Sequence, residues 1–188
     1  MGVTLTPLRC PACEGGLHCS EAAGFLLCRE CAAGFELGDD DALVPVPVSF
    51  ACYRPGASAF YPFWTWLAIL DVGTREGKRS LVQQVTFSRP LGLSLLFEER
   101  GSLRIYCAGF LEDLERGDSW SLRLTVEQPE LLPAPRRREV RGMAFSSRDA
   151  RAIADDVFLT SEISQGDTVR SLEYALHLDD PQLVVIGL

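Results

Sequence analysis

Alternation of apolar and polar residues marks two stretches of the chain as half-buried strands. In WSLRLTVE (120–127) the apolar side chains occupy every second position, and VRSLEYALHLD (169–179) repeats the pattern. The stretch DDPQ (179–182) then has the composition of a turn, and it leads into an apolar run, LVVIGL, that predicts a last strand. The pattern therefore predicts that the chain closes on a hairpin.

Further strands are predicted where short apolar or aromatic runs recur, at 61–71, 80–87, 102–109 and 138–145. The connections between them are short, and this favours antiparallel pairing because parallel strands need long crossovers. The stretch PLGLSLLFE, at 90–98, fits a strand and a short helix equally well.

A helical repeat follows in SSRDARAIADDVFLT, residues 146–160. Ser146 or Ser147 can cap its start by accepting a backbone N–H group, and Asp149 in the first turn suits the helix dipole. The sequence thus predicts one clear helix in a β-rich segment. Its apolar residues return at intervals of three and four and form one stripe: Ala150, Ile153, Ala154, Val157 and Phe158.

The N-terminal quarter of the chain has a different composition. Residues 1–45 are rich in glycine and cysteine and poor in large apolar residues, so burial alone is too weak to fold them. Pro45 and Pro47 favour extended backbone, and a Pro-Gly pair at 55–56 marks a turn. These residues indicate a linker at 46–58.

Four of the seven cysteines form two Cys-x-x-Cys pairs, Cys10 with Cys13 and Cys28 with Cys31. Each pair can aim two sulfurs at one point, and the backbone N–H groups of such a turn offset thiolate charge. A strand–turn–strand pattern between the pairs provides the hairpin that joins them around a tetrahedral ion. We interpret the four cysteines as ligands of one structural zinc ion, Zn²⁺. Iron in a rubredoxin-like electron-transfer site uses the same four sulfurs and remains an alternative.

These patterns together predict an α+β protein. A small zinc ribbon at 1–50 is followed by a mostly antiparallel β-rich domain with one helix at 58–188. Cys52 and Cys107, outside the ribbon motif, are best explained as small buried apolar residues.

The net charge of the chain limits the kinds of molecule that it is expected to bind. The chain has a formal net charge of −8, and its first 50 residues hold two basic against seven acidic residues. Neither part offers the basic surface that a phosphate backbone requires, so nucleic-acid binding is disfavoured.

The longest apolar run, at 59–70, is too short to cross a bilayer, and the N-terminus lacks the pattern of a signal peptide. We therefore expect a cytoplasmic protein, a setting in which clustered cysteines bind metal more often than they crosslink.

The ribbon resembles a known family. LTPLRCPACEGGL and GFLLCRECAAGFELGDDDALVP are similar to the small four-cysteine zinc-ribbon family that includes the activator subunit of tRNA, rRNA and release-factor methyltransferases. The matching features are Cys10-Pro11, Cys13, the second cysteine pair, an aromatic residue at Phe35 and the acidic turn 39–41. The resemblance implies a scaffold that holds or shields a partner protein and catalyses nothing itself. The remaining residues resemble, more distantly, bacterial proteins that pair a zinc ribbon with a β-rich domain. This second resemblance implies the architecture of the protein and indicates no activity.

Two groups of residues outside the ribbon are candidates for partner binding. Tyr61, Phe63, Trp64 and Trp66 crowd one predicted strand, both faces of which are apolar, so a central strand buried on both sides is favoured over an exposed aromatic anchor. The other group is the local concentration of positive charge. This group consists of Arg136, Arg137 and Arg138. For these residues a solvated turn is favoured over a contact with an acidic partner.

No motif of a known catalytic type accompanies the two histidines, His18 and His177. The sequence therefore favours a non-catalytic adaptor that binds one or more proteins through the ribbon and the β-rich domain. A nucleic-acid-associated ribbon and a rubredoxin-like iron protein are the alternatives.

Overall fold

The computed structural model describes residues 9–20, 25–38, 42–74, 103–111, 114–136, 140, 142–164 and 172–188. Within these ranges the chain forms ten strands and two helices, in an α+β arrangement. In chain order they are β1 (Leu17–Ser20), β2 (Phe25–Cys28), β3 (Gly34–Leu37), β4 (Leu43–Val46), β5 (Val48–Cys52), β6 (Phe60–Thr74), β7 (Leu103–Ala108), α1 (Leu114–Glu127), β8 (Leu132–Pro133), α2 (Ser147–Ser164), β9 (Leu172–Leu178) and β10 (Gln182–Gly187).

The N-terminal segment is an antiparallel sheet in the order β1-β2-β3-β4. The hairpin predicted between the cysteine pairs is confirmed, with Leu17 opposite Cys28 and Ser20 opposite Phe25. β3 and β4 extend it beyond the prediction. Pro45 lies in β4, the edge strand, where its lack of an N–H group interrupts no ladder in the interior of this sheet.

The larger sheet has the order β7-β6-β10-β5-β8, and β9 pairs with β6 as well. Its pairings are antiparallel, as predicted, except that β5 runs parallel to β10. This exception is physically consistent because the two strands come from opposite ends of the chain, so the connection between them is long. Residues 48–52, which the prolines had indicated as part of a linker, are therefore a strand inside this sheet.

The predicted closing hairpin is wrong, although both of its strands exist. β9 and β10 are both antiparallel to β6, so they run in the same direction along it. Leu178 lies opposite Ala68 and Gln182 lies opposite Thr65. The segment between β9 and β10 therefore has one residue more than the part of β6 that it faces, as in a β-bulge. Asp179 fills the gap, because its N–H group donates to the carbonyl oxygen of Leu67 and its Oδ1 accepts the Leu67 N–H at 2.7 Å.

The core lies on both faces of the larger sheet, as the aromatic run predicted. Trp64 and Trp66 point to one face, and Tyr61 and Phe63 point to the other, with exposed fractions between 0 and 5%. β7 and β10 alternate in the same way. The interpretation of this run as a central strand is confirmed, and none of these four side chains is available at the surface for a partner.

The segment 120–127 is helical, so the strand predicted there is wrong, as is the expectation of a single helix. The polar residues that suggested an outward face, Ser121 and Thr125, are both 2% exposed. Their hydroxyl oxygens accept the N–H groups of Ala108 at 2.9 Å and Tyr106 at 3.1 Å, at the edge of β7. Just after α1, the side-chain amide of Gln128 exchanges two hydrogen bonds with the backbone of Arg104. These side chains occupy the place of a neighbouring strand and satisfy an edge that would otherwise be open.

The predicted helix 146–160 is confirmed as α2. Ser146 caps it by accepting the N–H of Asp149 at 3.1 Å, and the Asp149 carboxylate accepts the N–H of Ser146 in return. From the apolar stripe, Ala150, Ala154 and Phe158 are buried against the sheet. Val157 is half-buried and packs against the margin of the same core, whereas Ile153 is exposed.

Three other predictions concern segments that the structure describes in part or not at all. The strand predicted at 80–87 and the ambiguous segment 90–98 lie outside the described residues. In the described part of 138–145 there is no strand, and Met143 forms a single β-bridge with Phe110.

The ribbon and the larger sheet share one core. Phe25, Leu27 and Val46 of the ribbon belong to the cluster that contains Trp64, and the rings of Phe25 and Trp64 meet edge to face at 5.7 Å. A Cβ atom on Gly34 would collide with the Val48 side chain, so the two sheets approach closely at this glycine. The proposed division into domains at 1–50 and 58–188 stays a prediction.

Candidate metal centre

The two Cys-x-x-Cys turns have the same backbone structure. In the first, the Cys10 N–H donates to the Gly15 carbonyl at 2.8 Å, and the Glu14 N–H donates to the Cys10 carbonyl at 2.8 Å. In the second, the N–H of Cys28 and the N–H of Ala32 make the equivalent bonds, each at 2.9 Å. The two turns therefore present their cysteines in the same way, and the β1–β2 hairpin brings them face to face.

One residue in each turn adopts a left-handed backbone conformation. Glu14 has a φ of 61° and Ala32, its equivalent, has a φ of 59°. Side chains other than glycine pay roughly 1–2 kcal/mol for this region. Both residues come directly after the second cysteine of a pair, so this strained conformation is part of how the turn aims its two sulfurs.

The four sulfurs lie within 4.8 Å of one another. The Sγ atoms of Cys10 and Cys31 are 3.6 Å apart, and those of Cys13 and Cys28 are 3.4 Å apart. A disulfide needs about 2.05 Å, so these contacts are not bonds. Tetrahedral zinc with Zn–S distances of about 2.3 Å would place its sulfurs about 3.8 Å apart, close to what is found here. The donor set and its spacing fit a tetrahedral metal ion held by four thiolates.

Burial differs among the four cysteines, and it contributes to the pKa values of two of them. Cys10 and Cys28 are buried, Cys31 is half-buried and Cys13 is exposed. Burial opposes ionisation of the Cys28 thiol, but the N–H groups of Cys31 and Glu30 and the neighbouring thiols lower its pKa to about 7. At Cys13 the N–H of Gly15 favours the thiolate, whereas the thiols of Cys28 and Cys31 oppose it and the pKa is raised to about 12. The surroundings thus favour the thiolate at Cys28 and disfavour it at Cys13, and a bound cation would favour the thiolate form of its ligands.

The alternating side chains of β2 link this centre to the rest of the molecule. Leu26 and Cys28 point towards a small cluster with Cys10 and Phe35, which is the ribbon's own core. Phe25, on the opposite side of the same strand, points into the large core. A displacement of the cysteines would therefore be transmitted to the packing around Trp64.

The predicted partner-binding arginines are only partly within the described chain. Arg136 is exposed, and its Nη1 donates to the carbonyl oxygen of Cys31 at 2.8 Å. One N–H group of Arg136 is therefore engaged with the second cysteine turn. Arg137 and Arg138 lie outside the described residues, and a role of these arginines in partner binding stays a prediction.

Sequence reasoning missed a second contact between the ribbon and the rest of the chain. Glu36, in β3, accepts the backbone N–H of Ser147 at 2.6 Å and its hydroxyl at 2.5 Å. The carboxylate thus lies at the N-terminus of α2, where the helix dipole favours a negative charge. Because the partners are 111 positions apart in the sequence, no local pattern could have indicated this pair.

Cys52 and Cys107 lie outside the centre, as predicted. Cys107 is fully buried in the large core, and this burial raises the pKa of its thiol to about 12. Cys52 is half-buried in β5.

No helix in the described part of the chain is long and apolar enough to span a membrane. No known protein family, curated protein or solved structure matches the chain. The likeness of the ribbon to the methyltransferase activator family therefore rests on the sequence pattern alone and stays a prediction.

Proposed function

We propose that the protein is a non-catalytic interaction protein whose N-terminal ribbon is held by one structural zinc ion. The observation that carries the proposal is the convergence of four cysteine sulfurs within 4.8 Å of one another. Four thiolates are a typical ligand set for structural zinc, and they fill every position of a tetrahedral ion. A site of this kind stabilises a fold and has no position left for water or a substrate.

The size of the ribbon's own core supports a structural role for the ion. Among the described residues of the ribbon, this core has four buried members, and two of them are the proposed ligands Cys10 and Cys28. In such a segment the free energy of metal binding becomes free energy of folding. The ion would hold the two turns in place, and β2 would then present Phe25 and Leu27 to the large core.

Charge supports a protein partner. The net charge of −8 would repel a phosphate backbone and attract a basic protein surface. The proposal places the protein in the cytoplasm, where thiolate ligands remain reduced.

Capture of partners from native cells tests the proposal. The tagged full-length protein is compared with Cys28→Ser, which lacks one ligand, and with Cys52→Ser, which changes a cysteine outside the centre. We expect one or more proteins to be captured by the wild-type chain and by Cys52→Ser, and lost with Cys28→Ser. A wild-type chain that reproducibly captures nothing would contradict an adaptor role.

Two assays on the purified protein address the alternatives. Elemental analysis should find one zinc per chain and no iron, and a coloured, iron-loaded protein prepared with both metals present would favour electron transfer. Titration with an oligonucleotide at low salt should show no binding, because backbone contacts are strongest under that condition.

A further inference from the structure

The two helices meet beside the β7 edge of the larger sheet and leave a groove between them. The groove has a volume of about 420 Å³, and its lining comes from one face of each helix. α1 contributes Leu122 to its apolar part, and α2 contributes Ile153 and Val157. Ile153 is 37% exposed, although it belongs to the apolar stripe of its helix.

The position of these residues follows from the two buried faces of the helices. α2 buries Ala150, Ala154 and Phe158 against the sheet. Val157 is half-buried at the margin of the same core, Ile153 lies beside it with a larger exposed fraction, and both line the groove. These two residues are one helical turn apart, so they present a continuous apolar strip along the groove.

The rim of the groove is acidic. Asp118 of α1 and Asp156 of α2 lie on opposite sides, both exposed, with the hydroxyl-bearing residues Ser119 and Thr160 beside them. Among the described residues that line the groove, none is basic. Apolar side chains between two carboxylates favour an occupant that is apolar on one face and positively charged at its margins.

We propose that this groove is the docking site for a basic amphipathic helix of the partner protein. An amphipathic helix places apolar anchors at i and i+4 into a groove between helices, and this spacing matches the strip formed by Ile153 and Val157. Lysine or arginine residues flanking those anchors meet Asp118 and Asp156 at the rim. The site rests on the proposed function, because it specifies where and by what chemistry the interaction protein holds its partner.

Binding of designed peptides to the zinc-loaded full-length protein tests the proposal. The probe is a fluorescein-labelled amphipathic peptide of about 16 residues, long enough to form a helix, with leucines at i and i+4 flanked by lysines. One control peptide replaces the lysines by glutamates, and another replaces the leucines by serines. We expect fluorescence anisotropy to show binding of the lysine–leucine peptide alone, weakening as salt is added.

Charge reversal at the rim provides the matched variants. Asp118→Lys with Asp156→Lys should weaken binding of the basic peptide by roughly tenfold or more and allow the glutamate peptide to bind. Asp155→Lys is the control, since Asp155 is exposed on α2 and does not line the groove. Because all three positions are exposed, we expect these variants to keep the helix content and zinc content of the wild type.

The outcomes separate the groove from the proposed function. Three results would contradict the groove as the docking site. They are equal binding of the basic peptide by the wild type and the double variant, binding of the serine peptide as tightly as the leucine peptide, and no binding of any peptide. If partners captured from cells persist with the double variant, the interaction protein stands and the docking site lies elsewhere. If the wild type captures no partner, the proposed function itself fails.

Discussion

Glu36 of the ribbon holds the first residue of α2, Ser147, through hydrogen bonds to both its backbone N–H and its hydroxyl group. The ribbon thereby completes the cap of a helix that the sequence places more than a hundred residues away. The start of α2 depends on two caps, one local from Ser146 and Asp149 and one from the ribbon.

Glu36→Gln should destabilise the protein by about 1–2 kcal/mol, because a charge-assisted bond at a helix N-terminus is lost while the shape is kept. Urea unfolding followed by the helix signal at about 222 nm measures the change, in a variant expected to retain its metal. Glu130→Gln, an exposed glutamate after α1, is the control and should change stability by less than about 0.5 kcal/mol. Equal stabilities of the two variants would show that the ribbon does not support α2.

Cys28→Ser should abolish stoichiometric metal binding and unfold the ribbon. Because Phe25 packs edge to face on Trp64, loss of the ribbon should also expose Trp64 and shift tryptophan emission to longer wavelength. Elemental analysis and fluorescence measure both effects, and Cys52→Ser should show neither. Persistent amide protection of the β1–β2 hairpin in a metal-free Cys28→Ser protein would contradict the structural role of the ion.

Metal affinity should fall as the pH falls, because the thiolate and not the thiol is the ligand. Thiols that are protonated before binding must release their protons, and Cys13, with its pKa raised to about 12, is one of them at neutral pH. For each proton that metal binding releases, the dissociation constant should rise roughly tenfold when the pH falls by one unit. Competition with a chromophoric zinc chelator from about pH 8 to about pH 6 measures the slope. A dissociation constant independent of pH would exclude thiolate ligation.

Cys107 should resist alkylation in the native protein. Burial raises the pKa of its thiol to about 12, so at about pH 8 almost none of it is the reactive thiolate, and reagent has no access to it. Mass spectrometry after brief treatment with iodoacetamide should show modification at the half-buried Cys52 before any at Cys107. In urea the difference between the two should disappear, and its persistence there would point to a cause other than burial.

Thr125→Val should cost about 1–3 kcal/mol, because it leaves the buried N–H of Tyr106 without its acceptor while preserving the side-chain volume. Thermal or urea unfolding measures the loss. Ser119→Ala, on the exposed side of the same helix, is the control and should be close to neutral. If the two substitutions had the same effect, the covering of the β7 edge by α1 would not be a source of stability.

The cysteine cluster and α2 could be predicted because their signals are local. Cysteines at the spacing Cys-x-x-Cys converge within a single turn, and the repeat of Ala150, Ala154 and Phe158 identifies one face of a helix without reference to the rest of the chain. The aromatic run of β6 was likewise interpretable, since apolar side chains on both faces imply burial on both sides.

The tertiary structure decided what depends on distant neighbours. Ser121 and Thr125 resemble the outward face of a strand, yet they are buried because the open edge of β7 supplies N–H groups that their hydroxyls accept. Two further features depend on strands that are far apart in the chain. β5 pairs with β10 in parallel, and β6 pairs with both β9 and β10, so these two strands follow one another along it. The sequence alone determined which cysteines meet and which residues form α2. The cysteines of each pair lie within one turn and a single hairpin joins the two pairs, while the apolar stripe of α2 repeats every three or four residues. Hydrogen bonds such as Glu36 to Ser147 exist only once the sheets have packed, so only the folded chain could reveal them.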